Sequence, residues 1–197
     1  MKGPLVSVVS LGLLVSAGLA EEKGGKVTHE NGYVSQASLP EGWPMPGPFH
    51  QVTPKTYPVY RAAYTSGSGQ TRSFWTLFNH IKREKIPMTA PVEMEVQSVN
   101  GELEMTTMGF LYQSPEVGEQ GLAGEKVRVM DVPAMRVLSY AWIGPNNEDN
   151  QLIAKKALDS ALAAESEAAI GFRILGYNGP SVPKEKRTHE MQAILPK

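Results

Sequence analysis

Between Lys85 and Gln97 apolar and polar residues alternate strictly. Ile86, Met88, Ala90, Val92, Met94 and Val96 are apolar, Lys85, Thr89, Glu93, Glu95 and Gln97 are polar, and Pro87 and Pro91 fill the remaining places. A period of two sets the apolar set on one face of a strand. The prolines bring no N–H to a ladder, so they predict an edge or bulge where the strand begins. Asn100-Gly101 follows, a hairpin signal because both central positions of a type I′ turn need positive φ. Leu103 to Tyr112 is the predicted return strand. Upstream the period changes. Over Arg72 to Arg83, Phe74, Leu77, Phe78 and Ile81 recur at i, i+3, i+4 and i+7, one apolar stripe of a helix with Trp75 at its margin. Before it, Tyr57 to Tyr64 is rich in β-formers, and Ser66-Gly67-Ser68-Gly69 is a loop.

The same order recurs downstream. Lys126 to Asp131 and Met135 to Ile143 are β-rich, with Pro133 between them. Asn147 is an N-cap candidate with Glu148 and Asp149 in the first turn. Gln151 to Glu165 is an alanine-rich helix with Ala154, Ala157, Leu158, Ala161 and Leu162 on one side. Phe172 to Tyr177 and Thr188 to Leu195 are strands separated by a Gly/Pro loop. Strand, helix, strand, strand thus occurs twice, as a repeat of pattern rather than of letters. Two such halves predict an α+β fold: a curved, mostly antiparallel sheet or distorted barrel with two flanking helices.

The N-terminus has a different texture. Lys2 precedes an apolar run from Leu5 to Leu19, closed by Gly18-Leu19-Ala20. This predicts a signal peptide over residues 1–20 and a secreted or periplasmic protein, with no stable membrane span after its removal. The run falls short of the ~20 apolar residues of a spanning helix, an anchor being the alternative. Residues 21–56 lack periodicity and crowd prolines and glycines, which predicts a linker before a domain at residues 57–197. Trp43 and Phe49 are apolar enough to dock that linker on the domain.

Composition removes several chemistries. With 19 basic and 20 acidic residues the net charge is −1, which argues against nucleic acid as the main partner. Without cysteine there is no disulfide, thiol nucleophile or thiolate metal site. The four histidines, His29, His50, His80 and His189, have no metal-site spacing, so no protein-only metal site is expected. No nucleophile elbow or phosphate loop is present, so an enzyme and catalytic residues are not expected. Glu93 and Glu190 are candidate bases for a weak hydrolase, and more simply strand-surface carboxylates.

The run FWTLFNHI followed by KIPMTAPV resembles the signature of the SOUL/haem-binding protein family, across roughly Tyr57 to Leu195. Gly176-Tyr177-Asn178-Gly179-Pro180 and Lys186-Arg187-Thr188-His189-Glu190-Met191 are similar to that family's closing loop and last strand. The resemblance implies a distorted barrel similar to the GyrI-like effector-binding domains, and non-covalent binding of haem or another tetrapyrrole. It places the groove along the first helix and the Tyr-x-x-Pro loop. Those positions supply Phe74, Trp75, Phe78, Asn79, Tyr177 and Pro180, with Lys82, Arg83 and Lys184 as propionate partners. For Phe74 and Phe78 core packing is the competing reading. His80 is a candidate axial ligand, although a lone helix histidine is ordinarily a surface or hydrogen-bonded residue. The alternative function is a broad-specificity sensor or carrier of apolar small molecules.

Overall fold

The computed structural model of the 197-residue chain describes residues 21–23, 26–67 and 69–197. The expected leader, residues 1–20, lies outside the described residues. Strands β1 (Glu21–Lys23), β2 (Lys26–Thr28) and β3 (Val34–Ser35) form a small antiparallel sheet. A non-periodic strap, residues 36–50, leads to β4 (Val52–Tyr57) and β5 (Tyr60–Ser66). The first helix, α1 (Gln70–Arg83), precedes β6 (Val92–Val99) and β7 (Glu102–Leu111). A short β8 (Gly121–Leu122) leads to β9 (Arg128–Val132) and β10 (Met135–Ile143). Helix α2 (Glu148–Glu165), β11 (Gly171–Gly176) and β12 (Thr188–Ile194) complete the chain. Among the described residues no helix is long and apolar enough to cross a membrane.

The main sheet has nine antiparallel strands in the order β4-β10-β12-β11-β6-β7-β5-β9-β8. The order reads the same from its middle outward. β11 and β6 meet there, flanked by β12 and β7, then by β10 and β5, then by β4 and β9. The twofold pattern in the sequence is therefore a twofold pattern in space, with one exchange. β4 precedes β5 in the chain yet pairs with β10, while β9 precedes β10 yet pairs with β5. Each pair is joined by two residues, Pro58-Val59 and Pro133-Ala134. Three peptide links span at most roughly 11 Å, so the far ends of the sheet are drawn toward each other. The sheet is strongly curved, and among the described residues no ladder closes it into a barrel.

Both helices cover one face. Leu77 and Ile81 of α1 and Ala154, Leu158 and Leu162 of α2 are buried against Ala63, Met94, Phe110, Leu138, Trp142 and Met191. The buried stripe of α1 is rotated slightly from expectation, with Ser73 and His80 inside and Phe74 and Phe78 half-buried. The Asn147 side chain accepts from the Asn150 backbone N–H at 3.2 Å, and so caps α2. Asn100 and Gly101 both have positive φ, 53° and 89°, as their hairpin requires.

The predicted strand from Lys85 is shorter than its alternation suggests. Residues 85–91 are irregular, and the ladder begins at Val92. Pro87 and Pro91 cannot donate, and the Thr89 hydroxyl instead bonds the Leu111 carbonyl at 2.6 Å. The residues before Tyr57 include a strand that sequence reasoning did not give. β4 carries Pro54 and tolerates it because the strand lies at the sheet's edge.

Candidate functional site

The outward side of α1 is aromatic. Trp75 is 55% exposed. Phe74 packs edge-on to Trp75, stacks on Phe78 and touches Phe110, with ring centres 5.7, 6.1 and 5.2 Å apart. Trp75 and Phe78 also meet edge-on at 5.6 Å. Helical geometry puts Lys82 on the same line as Trp75, two turns and roughly 10 Å along the axis. Asn79, Lys82 and Arg83 are exposed. An apolar plate bordered by cations is therefore displayed, with Phe74 and Phe78 serving both core and surface.

His80 points the other way. It is 3% exposed and its Nε2 pairs with the Tyr112 hydroxyl at 2.8 Å. Burial, and then the neighbouring Arg83 charge, holds its pKa below the usual histidine range. The remaining predicted residues are not gathered beside α1. Tyr177 is buried on the opposite, helix-free face, edge-on to Tyr33. Pro180 and Lys184 are exposed on the loop that follows it. An open depression of about 540 Å³ lies elsewhere, lined by Leu103, Asn146, Asn147, Glu148, Asp149 and Gln151. Apart from Leu103 that lining is polar, and it lacks aromatic rings, so it does not suit a flat apolar guest.

The helix-free face holds a cluster that the sequence did not announce. Glu93 and Glu190 are 3% and 0% exposed, not surface carboxylates, because the strap covers them. Arg173, fully buried, donates from Nη1 to Glu93 at 3.2 Å and to the Tyr60 hydroxyl at 2.8 Å, and from Nε to Gln192 at 2.8 Å. Glu190 accepts from Lys55 Nζ at 2.5 Å, the Gly47 N–H at 2.9 Å, the Tyr177 hydroxyl at 3.1 Å and Gln192 at 3.0 Å. Tyr57 and Tyr60 are brought together by the two-residue link between β4 and β5. Burial first, then Glu190 beside Tyr57 and Glu93 beside Tyr60, pushes both phenols far above their ordinary range. Burial alone would lower the Arg173 guanidinium, but Glu93 and the surrounding tyrosines reverse this and hold it above its usual value. The cluster is thus two carboxylates balanced by two cations, with neutral phenols around them. The visible signal was one arginine and two glutamates at inward positions of neighbouring strands, with tyrosines at matching places.

Gly109 makes room for this arrangement. A Cβ there would stand 2.5 and 2.9 Å from the Tyr64 ring, whose hydroxyl reaches Glu93 at 3.5 Å. Gly109→Ala is expected to lower stability by about 1–3 kcal/mol in urea unfolding, since the ring cannot retreat without leaving Glu93. A neutral result would show that Tyr64 swings aside freely.

Among the described residues no group of three or more His, Asp or Glu is placed to hold a metal ion. Comparison with curated proteins finds no significant match. Among solved structures, the EcmrR C-terminal domain is similar at 14% identity and a TM-score of 0.55, covering 75% of this chain and 98% of that one. The EcmrR chain in its DNA-bound transcription complex matches at 14% identity and a TM-score of 0.56, over 75% of this chain and only 58% of that one. A hydrolase from Listeria innocua matches at 12% identity and a TM-score of 0.55, over 75% and 93% of the two chains. These likenesses are of fold. Residues 51–194, which hold both the α1 surface and the buried cluster, match the SOUL heme-binding protein family, and the chain belongs to that family.

Proposed function

We propose that this chain is an exported, non-covalent binder of haem or a related tetrapyrrole, held on the outward side of α1. The observation that carries the reading is Trp75, more than half exposed within an aromatic cluster and in line with Lys82. A tetrapyrrole is a flat apolar plate with carboxylates at its edge. Trp75, Phe74 and Phe78 suit the plate, and Lys82 and Arg83 suit the carboxylates. A bound haem brings a redox-active iron. The α1 surface supplies stacking and charge but no axial nitrogen, because His80 is turned into the core and bonded to Tyr112. Export rests on the apolar run that closes at Ala20. Binding is favoured over hydrolysis because Glu93 and Glu190 are buried and already taken up by donors.

Hemin titration tests this. The Soret band should shift and tryptophan fluorescence should fall, mostly from Trp75, since Trp43 and Trp142 are buried. Trp75→Ala should weaken affinity by about 5–10-fold, the worth of one aromatic stack. His80→Ala should change affinity less. A flat Soret response would end the proposal, and a larger loss in His80→Ala would point to axial ligation instead.

A further inference from the structure

Three asparagines are followed by glycine: Asn31-Gly32, Asn100-Gly101 and Asn178-Gly179. That pairing is chemically labile. The next backbone nitrogen can close a five-membered ring onto the side-chain carbonyl carbon, and glycine has no Cβ to hinder the approach. The reaction needs an amide side chain free to turn and a following N–H without a partner.

Two of the three are denied those conditions. Asn31 Nδ2 donates to the Pro46 carbonyl at 3.0 Å, and its Oδ1 accepts from the Tyr33 N–H at 3.1 Å. Asn178 Nδ2 donates to the Val34 carbonyl at 2.6 Å, and its Oδ1 accepts from the Thr188 N–H at 2.8 Å. The glycine N–H groups are held as well, Gly32 by the His29 carbonyl at 2.9 Å and Gly179 by Gln36 Oε1 at 2.8 Å. Asn100 and Gly101 instead stand exposed at the tip of the β6–β7 hairpin. Among the described residues neither the Asn100 side chain nor the Gly101 N–H has a hydrogen-bond partner. A Cβ built on Gly101 would meet nothing within 4 Å, so the tip lies in open space.

We infer that the fold confines spontaneous deamidation to Asn100, where the chain exchanges a side-chain amide for an acid with water as the co-reactant. The Gly101 nitrogen bonds to Asn100 Cγ, the Cγ–Nδ2 bond breaks, and ammonia leaves with the proton of the Gly101 N–H. Water then opens the cyclic imide. Attack at Cγ restores the ordinary backbone with an aspartate. Attack at the main-chain carbonyl carbon leaves the chain running through Cγ, as isoaspartate. That product lengthens by one carbon a two-residue turn whose φ values, 53° and 89°, fit type I′, and so loosens the Val99–Glu102 pairing. Either product sets a new carboxylate close to Glu102. The inference is independent of the haem reading, because Trp75, Lys82 and Arg83 take no part.

The full chain is incubated in mildly alkaline buffer, folded or in denaturant, and its peptides are mapped by mass spectrometry. In the folded chain Asn100 should convert at least about tenfold faster than Asn31 or Asn178, whose reaction waits for local opening. In denaturant the three should convert at comparable rates. Asn100→Gly keeps a residue suited to positive φ and should abolish the acidic form that accumulates on ion exchange. The inference is overturned if Asn31 or Asn178 keeps pace with Asn100 in the folded chain, or if Asn100 stays intact there while the unfolded chain reacts. The same advantage for Asn100 in denaturant would assign the selectivity to flanking residues and overturn it too, as would an acidic form undiminished in Asn100→Gly.

Discussion

Arg173→Met should lower the free energy of unfolding by about 3–5 kcal/mol, the usual cost of stripping one partner from a buried ion pair. The side chain is fully buried, so water cannot replace what is lost. Glu93 would keep only the Tyr60 and Tyr64 hydroxyls, and the Gln192 carbonyl oxygen would lose its donor. The cost comes mainly from the stranded carboxylate, not from the net worth of the pair. The double variant Arg173→Met, Glu93→Leu should therefore recover a substantial part of the loss, since apolar replacement of a whole buried pair is often neutral. Chemical denaturation at neutral pH reads both. A single-variant loss under about 1 kcal/mol would mean that the pair behaves like a solvated one.

Acid should destabilise the fold through His189. The ring is 6% exposed, stacks on Trp142 at 5.4 Å and leaves its Nδ1 without a partner. Burial, and then the Arg187 charge, pushes its pKa down to about 4, although the Gly144 backbone opposes this. In the unfolded chain the group takes its proton near 6.5. Between those values the unfolded state binds more protons than the native one. Stability is thus fully present above about 6.5, falls as the pH drops, and is lost below about 4. The separation of the two values amounts to about 3 kcal/mol. His189→Gln should flatten this part of the stability profile while leaving the carboxylate contribution. Parallel wild-type and variant profiles from pH 7 to pH 4 would remove His189 as the cause.

The elements that could be read from the chain were those whose burial is one-sided. α2 was legible from Asn147 and the Ala154, Leu158, Leu162 stripe, because its other side faces water. The repeated order of elements was legible for the same reason, and the symmetric sheet follows from it. The pairing of β4 with β10 was not, because nothing local tells a strand that its partner lies beyond the next two residues. Glu93 and Glu190 misled because alternation marks a polar face, and a polar face ordinarily faces solvent. Here the strap, a segment with no period of its own, turned that face into an interior. The α1 surface was readable down to Trp75, since a tryptophan off the apolar stripe must go outward. His80 makes the hydrogen bond that its ordinary alternative foresees, but its burial was not legible, because one position of helix rotation separates a displayed imidazole from a buried one. Tyr177 was named for a groove beside α1 and is part of the interior that Trp43 closes.

The exchanged strands have a consequence for how the domain holds together. Each half of the duplication lends its leading strand to the other, so neither half owns a complete border. Severing the chain at Pro133 would strand β4 without its partner β10 in the first piece, and would bare the flanks of β6 in the first piece and of β10 and β11 in the second. Neither half is therefore a folding unit by itself, and the domain is expected to unfold in one cooperative transition.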